Sequence, residues 1–398
     1  MFELSAASGF FVVFLLLGAL LLRNGSKYRP YIFLTLNIVI YLCGCRSLYQ
    51  ALVAGTFVCL PFFAARLCES YRKWVIPLLL LIFIYLARYQ IFTEVIKLPY
   101  FSALRILGLS YFLFREIDYL MQYDYLKEEG ISLRVCDYLN YVLSFYCLLA
   151  GPILRYEEFV TDFYQVPGDM SLQELLGKIN RIINGYVKVY VISAILGYWA
   201  GVWFEGLKSH SSVWAGLAAF FLFAYLNGWY IYFNFSGYCD IVIGFADLAG
   251  LSVHENFNKP YLAASVSEFW NRHHITLSEW IRDYIYSPMF KAFISGPFEK
   301  NIKWGQYLAL FLTFTIAGIW HGTDANYLIY GLFQGLGISL ATIWKDKRKK
   351  LLGKEKNKAY EKSLGVKTIG RIVTWSYICL TFSFVGYDVW GLIVGYFR

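Results

Sequence analysis

The chain has 398 residues, of which 58% are hydrophobic, 20% aromatic and only 16% charged, with a formal net charge of +9. A soluble globule of this length would need more polar surface to cover its core, whereas lipid accepts apolar side chains that face outward. The composition therefore excludes a soluble protein and predicts an all-α, polytopic integral membrane protein. No separate core-forming domain is visible, so we expect residues 1–398 to form a single integral-membrane domain.

The basic residues that flank the first apolar runs predict the orientation of the chain. No basic residue precedes the first run, and Arg23, Lys27 and Arg29 follow it. This order is typical of a retained first span, not of a cleaved signal peptide, and it puts the N-terminus outside. An outside turn at Arg46 and a cytoplasmic loop at 66–73 agree with that orientation.

Apolar runs of about 20 residues or somewhat fewer predict the membrane spans that follow. They lie at 31–44, 48–65, 74–87, 182–204, 213–235, 239–251, 304–320, 327–344 and 372–394. Segment 91–122 alternates polar and apolar residues, which favours a buried or interfacial helix. The apolar stretch 138–150 ends at Gly151-Pro152, a pair that breaks a helix. Ser171 with Glu174 predicts a capping box at the start of an amphipathic helix.

The segment from 345 to 371 is the most basic part of the chain. The positive-inside rule predicts that it is a cytoplasmic loop, which leaves 372–394 as the closing span and the C-terminus outside. Contact with anionic lipid headgroups explains its charge adequately. A docking site for an acidic soluble partner is the less favoured alternative.

The segment 252–295 contains no apolar run of about 20 residues, and aromatic side chains are mixed there with charged ones. Interfacial helices or half-helices fit this pattern better than a membrane span does. At helical spacing Glu279 can pair with Arg282 and is repelled slightly by Asp283, so we interpret most of these charges as ion pairs.

Three histidines are candidates for chemistry, because ionisable residues within a membrane-type sequence are costly to keep. His321 ends an apolar run, and we expect burial to keep it in the neutral form that a general base requires. A histidine that only satisfies a helix end is the structural alternative, and Gly322 after it permits close approach of backbone or substrate. His273 and His274 would point about 100° apart on a helix, which predicts that at most one of them lines a site.

Other kinds of site are not supported by motifs. The sequence has no His-Glu-x-x-His or comparable ligand spacing, so we predict no metal site. It also lacks a Gly-x-Ser-x-Gly elbow, a phosphate loop and a dinucleotide fingerprint. An enzyme with this sequence would therefore activate the nucleophile of its substrate with a histidine base instead of forming an acyl-serine.

Several stretches, in this order along the chain, resemble the membrane-bound O-acyltransferase family. They are GLSYFLFR (108–115), AGPILRYEEF (150–159), FNFSGYCDIVIGFADLAGL (233–251), ENFNKPYL (255–262), FWNRHHITLSEWIRDYIY (269–286), GIWHG (318–322) and YGLFQG (330–335). The resemblance covers about 108–340 and is nearest to the bacterial branch that contains the D-alanyl transfer protein of teichoic acid modification and alginate O-acetyltransferase. Two positions depart from the family pattern, since His273 stands where Trp is usual and Gln334 where His is common.

The resemblance implies a fold, a site and a reaction. About 11 or more transmembrane or re-entrant helices would ring a central funnel and tunnel. His321 would be the principal catalytic histidine and His274 the second, either orienting the substrate or polarising a carbonyl. Five neighbouring residues are expected to bind substrate: Trp270, Asn271, Arg272, Trp320 and Asn326.

The implied reaction is transfer of a D-alanyl or acetyl group to hydroxyls of an envelope polymer. The donor would be a phosphopantetheine thioester, on an acyl carrier protein or as acyl-coenzyme A, arriving from the cytoplasm. No tightly bound cofactor and no nucleic acid are expected; the partners would be membrane lipid, the donor, an extracytoplasmic protein and the polymer. The expected location is the bacterial inner membrane. A transporter or flippase, or a non-catalytic scaffold, remains the alternative, although secondary transporters often show internal repeats and none is visible here.

Overall fold

The computed structural model describes residues 9–23, 27–45, 47–67, 69–87, 108–165, 168–207, 212–322 and 324–396. They form two compact units. The first holds the described residues up to Val187 together with Gly237–Glu255, and the second holds Lys188–Ser236 and the described residues from Asn256 onward. Regular structure in the described residues is helical apart from one isolated antiparallel bridge between Phe257 and His273. The all-α, polytopic membrane fold is confirmed, whereas the single domain and the ring around a funnel stay predictions.

The helices are numbered here in chain order. Those that begin in the first unit are α1 (Gly9–Arg23), α2 (Arg29–Gly44), α3 (Leu48–Ala64), α4 (Glu69–Ala87), α5 (Leu109–Glu128), α6 (Val135–Leu143), α7 (Tyr156–Phe163) and α8 (Leu172–Val187). Those that begin in the second unit are α9 (Ser193–Gly206), α10 (Val213–Leu248), α11 (Val266–Trp270), α12 (Ile275–Ile281), α13 (Ser287–Ile294), α14 (Ile302–His321), α15 (Ala325–Lys362), α16 (Leu364–Phe382) and α17 (Val389–Tyr396).

Within the part of the chain that the structure describes, four helical stretches are long and apolar enough to cross a membrane. They are Leu172–Gly206, Val213–Leu248, Ile302–His321 and Ala325–Lys362, and shorter apolar helices occur at Val12–Arg23, Arg29–Gly44, Leu48–Ala64 and Trp74–Leu86. The first of them joins α8 to α9 through a π-helical turn at Lys188–Ile192. The capping box at the start of α8 is confirmed, because the Ser171 hydroxyl accepts from Glu174 N at 3.2 Å and the Glu174 carboxylate accepts from Ser171 N at 2.8 Å. The outside turn at Arg46, and segment 91–122 before residue 108, fall outside the described residues.

The separation of 213–235 from 239–251 was wrong, because α10 is one helix of 36 residues. A glycine inside a helix costs only about 1 kcal/mol relative to alanine, and in lipid the backbone has to keep its hydrogen bonds. Helix α8 packs closely on this part of α10 within the first unit, because Gly185 of α8 carries no side chain. A Cβ on Gly185 of α8 would lie 2.7 Å from the Gly237 carbonyl oxygen.

The apolar stretch 138–150 is not a continuous helix either. Helix α6 ends at Leu143, and the fully buried guanidinium of Arg115 accounts for the break. Arg115 donates to the carbonyl oxygens of Val142 and Cys147, each at 2.7 Å. A buried arginine needs several acceptors, and the carbonyls of an interrupted helix provide them.

The basic segment at 345–371 is largely helical, and its cytoplasmic location stays a prediction. Helix α15 continues to Lys362 with a break at Gly353, where φ is 69°. Lysine and arginine are good helix formers, and Arg348 pairs with Glu361 across the break. The predicted final span at 372–394 is likewise divided, because α16 ends at Phe382 and α17 begins at Val389.

Helices α14 and α15 pack closely through glycines, and this packing positions His321 at the end of α14. A Cβ on Gly318 would lie 2.4 Å from Gly331 Cα, and one on Gly335 would lie 2.4 Å from the carbonyl oxygen of Phe311. Gly331 and Gly335 form a G-x-x-x-G pattern, which lets two helix backbones approach within the membrane.

We therefore expect Gly335→Ala to lower the stability of the protein by about 1–3 kcal/mol, because the new methyl group overlaps a backbone atom that cannot rotate away. The measurement is thermal unfolding of the full chain in detergent. Gly177→Ala in α8 is the matched control, since a Cβ there meets nothing within 4 Å. Equal unfolding temperatures for the two variants would contradict the packing argument.

Candidate active site

A cavity of about 110 Å³ lies in the second unit and is lined by residues from α10, α11, α12, α14, α15 and α16. Three histidines line it, His273, His274 and His321, together with Gln334, Ser278 and a majority of aromatic and aliphatic side chains. Histidines that share an apolar cavity of this kind define a candidate site for proton transfer.

His274 occupies a left-handed backbone conformation, with φ 48° and ψ 53°, directly before α12. Such a conformation costs roughly 1–2 kcal/mol for a residue other than glycine and is found where surrounding contacts enforce it. The enforcing residue is Asn256, which is fully buried. Its backbone oxygen accepts from Ile275 N at 3.0 Å, and its side-chain oxygen accepts from Thr276 N at 3.2 Å. Asn256 therefore caps α12 from a distant part of the chain.

His273 and His274 both line the cavity, so the prediction that at most one of them would do so was wrong. The prediction assumed a helix, but the two residues lie in the break between α11 and α12. His273 pairs with Phe257 in the antiparallel bridge, and Asn258 N donates to Arg272 O at 2.9 Å. Extended pairing followed by a left-handed residue replaces the 100° helical rotation.

The ring of His273 is held by aromatic neighbours. It stacks on Phe269 with centroids 4.8 Å apart and meets Phe382 at 5.6 Å. Its Nδ1 is buried and has no hydrogen-bond partner among the described residues. Packing therefore fixes the ring, while one of its polar atoms stays unsatisfied within the protein.

His321 is exposed, which corrects the expectation that it is buried. It is the last residue of α14, and its ring lies against Trp320 at 4.5 Å and Tyr330 at 5.9 Å between centroids. The following Gly322 provides the expected close approach, since a Cβ there would lie 2.0 Å from the ring of Tyr327. His321 thus reaches the cavity from a helix end that remains accessible.

Trp270 lines the cavity and is held in place by Gln334. The indole N–H of Trp270 donates to Gln334 Oε1 at 3.2 Å, and Gln334 Nε2 donates to Thr381 Oγ1 at 2.6 Å. The amide therefore joins α11, α15 and α16, and glutamine at this position satisfies two partners at once.

The other predicted substrate-binding residues are not among those that line this cavity. Asn271 is exposed, and Arg272 pairs with Glu268 at 2.9 Å. Asn326 donates to Asp388 at 2.9 Å, and Trp320 packs on His321. Their roles in substrate binding stay predictions.

The predicted ion pair of Arg282 with Glu279 is not the one observed. Arg282 pairs with Asp283 at 2.9 Å. Arg282 begins a π-helical turn that extends to Tyr286, so the α-helical spacing assumed for the pair does not continue past Ile281.

Burial holds the pKa of His273 and of His274 well below the usual range of histidine, and neighbouring histidines add to the effect. Both residues lie outside the four long apolar helices. Both imidazoles are therefore neutral at neutral pH, and a neutral imidazole can accept a proton. No group of three or more His, Cys, Asp or Glu in the described part of the chain has an arrangement that could hold a metal ion.

Two contributors to the site were not singled out from the sequence. Asn256 lay in a stretch noted only for its resemblance, and no local pattern indicates that an asparagine 18 positions before a histidine binds it. Tyr330 lay in another such stretch, and it packs against His321. Both depend on contacts between different elements of the fold.

The helical membrane fold and the histidine-lined apolar cavity together indicate an integral-membrane protein with a candidate site for proton transfer. Residues 73–386 match the sequence model of the membrane-bound O-acyltransferase family. The chain belongs to the membrane-bound O-acyltransferase family, and it is an acyltransferase.

The similar proteins include two kinds of acyltransferase. The teichoic acid D-alanyltransferase of Streptococcus thermophilus is 28% identical over 301 residues, which are 73% of this chain and 71% of that protein. The Bacillus subtilis protein of the same name is 27% identical over 71% of this chain and 69% of its own length. The probable alginate O-acetylase AlgI of Pseudomonas aeruginosa is 32% identical over 59% of this chain but only 42% of its own length.

We expect Gln334→Leu to destabilise the second unit by about 1–3 kcal/mol, because the buried indole N–H of Trp270 would lose its acceptor. Thermal unfolding in detergent, followed by tryptophan fluorescence, measures the change. The matched control is Gln173→Leu on the exposed surface of α8. A loss of similar size in the control would show that the hydrogen bonds of Gln334 are not the cause.

Proposed function

We propose that this protein transfers a small acyl group from a phosphopantetheine thioester to hydroxyl groups of a cell-envelope polymer. The observation that carries the proposal is the convergence of His274 and His321 on one apolar cavity, in a chain of the O-acyltransferase family. The names of the relatives support a polymer outside the cell as acceptor and D-alanyl or acetyl as the acyl group.

The proposed step is direct transfer. The oxygen of the acceptor hydroxyl attacks the thioester carbonyl carbon, His321 takes the hydroxyl proton, and His274 orients the acceptor. The carbon–sulfur bond then breaks, and the proton passes from His321 to the departing sulfur. The accessible position of His321 at the end of α14 suits a base that meets an incoming acceptor. The aromatic walls limit hydrolysis by keeping water away from the thioester.

The size of the cavity supports a short acyl group. Its volume of about 110 Å³ is smaller than the roughly 150 Å³ of an apolar cavity that holds benzene. An acetyl or alanyl group fits such a space, whereas a long fatty acyl chain would have to extend beyond it.

The proposed location is the bacterial cytoplasmic membrane, with the thioester supplied from the cytoplasm and the polymer met on the outer side. An acyl carrier protein or acyl-coenzyme A would be the donor, and an extracytoplasmic protein would be a further partner. The basic part of α15 beyond Trp344 would lie on the cytoplasmic side by the positive-inside rule, beside anionic headgroups.

We expect His321→Ala to lower acylation of the envelope polymer by about 100-fold or more, because general-base catalysis contributes about 10²–10⁴-fold. The measurement is incorporation of labelled acyl groups into polymer by cells that contain equal amounts of each protein. His254→Ala is the matched control, since His254 is an exposed histidine that pairs with Glu158 in the first unit. Acylation at the normal level by the His321→Ala protein would refute the assignment.

We also expect transfer by purified protein to fall by about tenfold or more between acetyl and octanoyl thioesters, because the longer chain exceeds the cavity. Rates for acetyl, butyryl and octanoyl donors with a common thiol measure this. Enlarging the cavity by Phe314→Ala should restore part of the octanoyl rate. Equal rates for all three donors would show that this cavity does not hold the acyl group.

A further inference from the structure

The side-chain amide of Asn256 has an orientation that its neighbours define. One atom of this amide lies 3.2 Å from the backbone nitrogen of Thr276 and 3.0 Å from its hydroxyl oxygen. A backbone N–H can only donate, so the atom that faces it is the amide oxygen and not the NH₂ group. The ambiguity that usually affects asparagine side chains is thereby removed.

The same amide oxygen lies 3.2 Å from Nδ1 of His274. Because an amide oxygen only accepts hydrogen bonds, Nδ1 has to carry a hydrogen. His274 is 8% exposed and lies among aromatic and aliphatic side chains, a setting that disfavours the imidazolium ion. A neutral imidazole carries one N–H, so the lone pair of His274 is on Nε2.

We propose that Asn256 is a positioning residue that fixes His274 in the Nδ1–H tautomer, which makes Nε2 a hydrogen-bond acceptor in the active site. In this tautomer Nε2 accepts a hydrogen bond from a donor group of the incoming acceptor and orients it. Polarising the thioester carbonyl would require an N–H on Nε2, so the tautomer excludes that alternative role. The role of Nε2 in orienting the acyl acceptor rests on the proposed function, whereas the tautomer of His274 does not.

The backbone of Asn256 adds to this positioning. Its carbonyl oxygen accepts from Ile275 N at 3.0 Å, so the same residue holds the chain on the far side of His274. The ring also meets Phe235 edge-on, with centroids 4.7 Å apart. One residue thus sets both the backbone placement and the protonated nitrogen, and the aromatic contact limits rotation of the ring.

Nitrogen NMR of the full chain tests the tautomer directly. The chain contains five histidines, so selective ¹⁵N-histidine labelling gives few signals, and His274→Gln identifies those of His274. We expect a protonated Nδ1 and an unprotonated Nε2 at neutral pH in the wild type. We expect that preference to be lost in Asn256→Leu. A protonated Nε2 in the wild type would overturn the proposal.

Kinetics of acyl transfer supply the second readout. Asn256→Leu removes the acceptor of the Nδ1 hydrogen bond, and we expect kcat to fall by about 10- to 100-fold with little change in KM for the donor. Asn256→Asp keeps an acceptor oxygen, so most of kcat should remain. Its carboxylate should raise the pKa of His274 and move the acidic limb of the pH–rate profile to higher pH. The other titratable groups that line the cavity are His273, His321 and Tyr330, and they are unchanged in these variants.

Thr276→Val separates positioning of His274 from local stability. It removes only the hydroxyl bond to the amide oxygen and leaves the bond to His274 in place. For Thr276→Val we expect a tautomer and a kcat close to those of the wild type, and a loss of kcat equal to that of Asn256→Leu would show a purely structural role for Asn256.

If the wild-type tautomer is as stated but no acyl group is transferred, the proposed function fails and the role of Asn256 in fixing the tautomer stands. If Asn256→Leu does not accumulate, the Asn256→Asp and Thr276→Val pair still decides the question, because an unmoved pH profile in the aspartate variant would overturn the proposal.

Discussion

Where a helix begins or ends inside a membrane protein, its unpaired backbone N–H and C=O groups must find hydrogen-bond partners within the protein. The structure around the candidate site depends on this constraint. Asn256 meets this requirement for the start of α12 by using both its backbone oxygen and its side-chain oxygen. The residue at the usual capping position, His274, makes no side-chain capping bond. Because Asn256 caps α12, the imidazole of His274 is not needed as a helix cap and can line the cavity.

A second constraint acts on the other side of the cavity. His321 is carried by α14, and the position of α14 against α15 is set by glycines that permit contact between the two backbones. The hydrogen bonds of Gln334 then tie α15 to α11 and α16. The catalytic candidates are thus held by backbone packing and a buried amide, and ion pairs contribute little. Charged residues of segment 252–295 pair with one another, as Arg272 does with Glu268 and Arg282 with Asp283.

Much of the architecture could be predicted from the sequence, because long apolar runs have few alternatives to a helix in lipid. The ends and interruptions of those helices could not. Ser236-Gly237-Tyr238 looks like a break in the sequence but lies inside α10, whereas the break after Leu143 comes from Arg115, which lies 28 positions earlier. The same limit applies to the site. His274 and His321 could be identified from motifs. The position of His273 beside them in the cavity, and the contact of His274 with Asn256, follow from the antiparallel bridge between Phe257 and His273, which no short-range sequence pattern specifies.

The left-handed backbone at His274 has a consequence for how the enzyme can be altered. Glycine and asparagine adopt this conformation at little cost, whereas a β-branched side chain resists it strongly. Replacing His274 by glycine would therefore relax the chain while it removes the imidazole, and replacing it by valine would add strain to the same chemical loss. Stability and activity therefore oppose each other at this position: the proposed chemistry needs histidine, whereas glycine would adopt the backbone conformation with less strain.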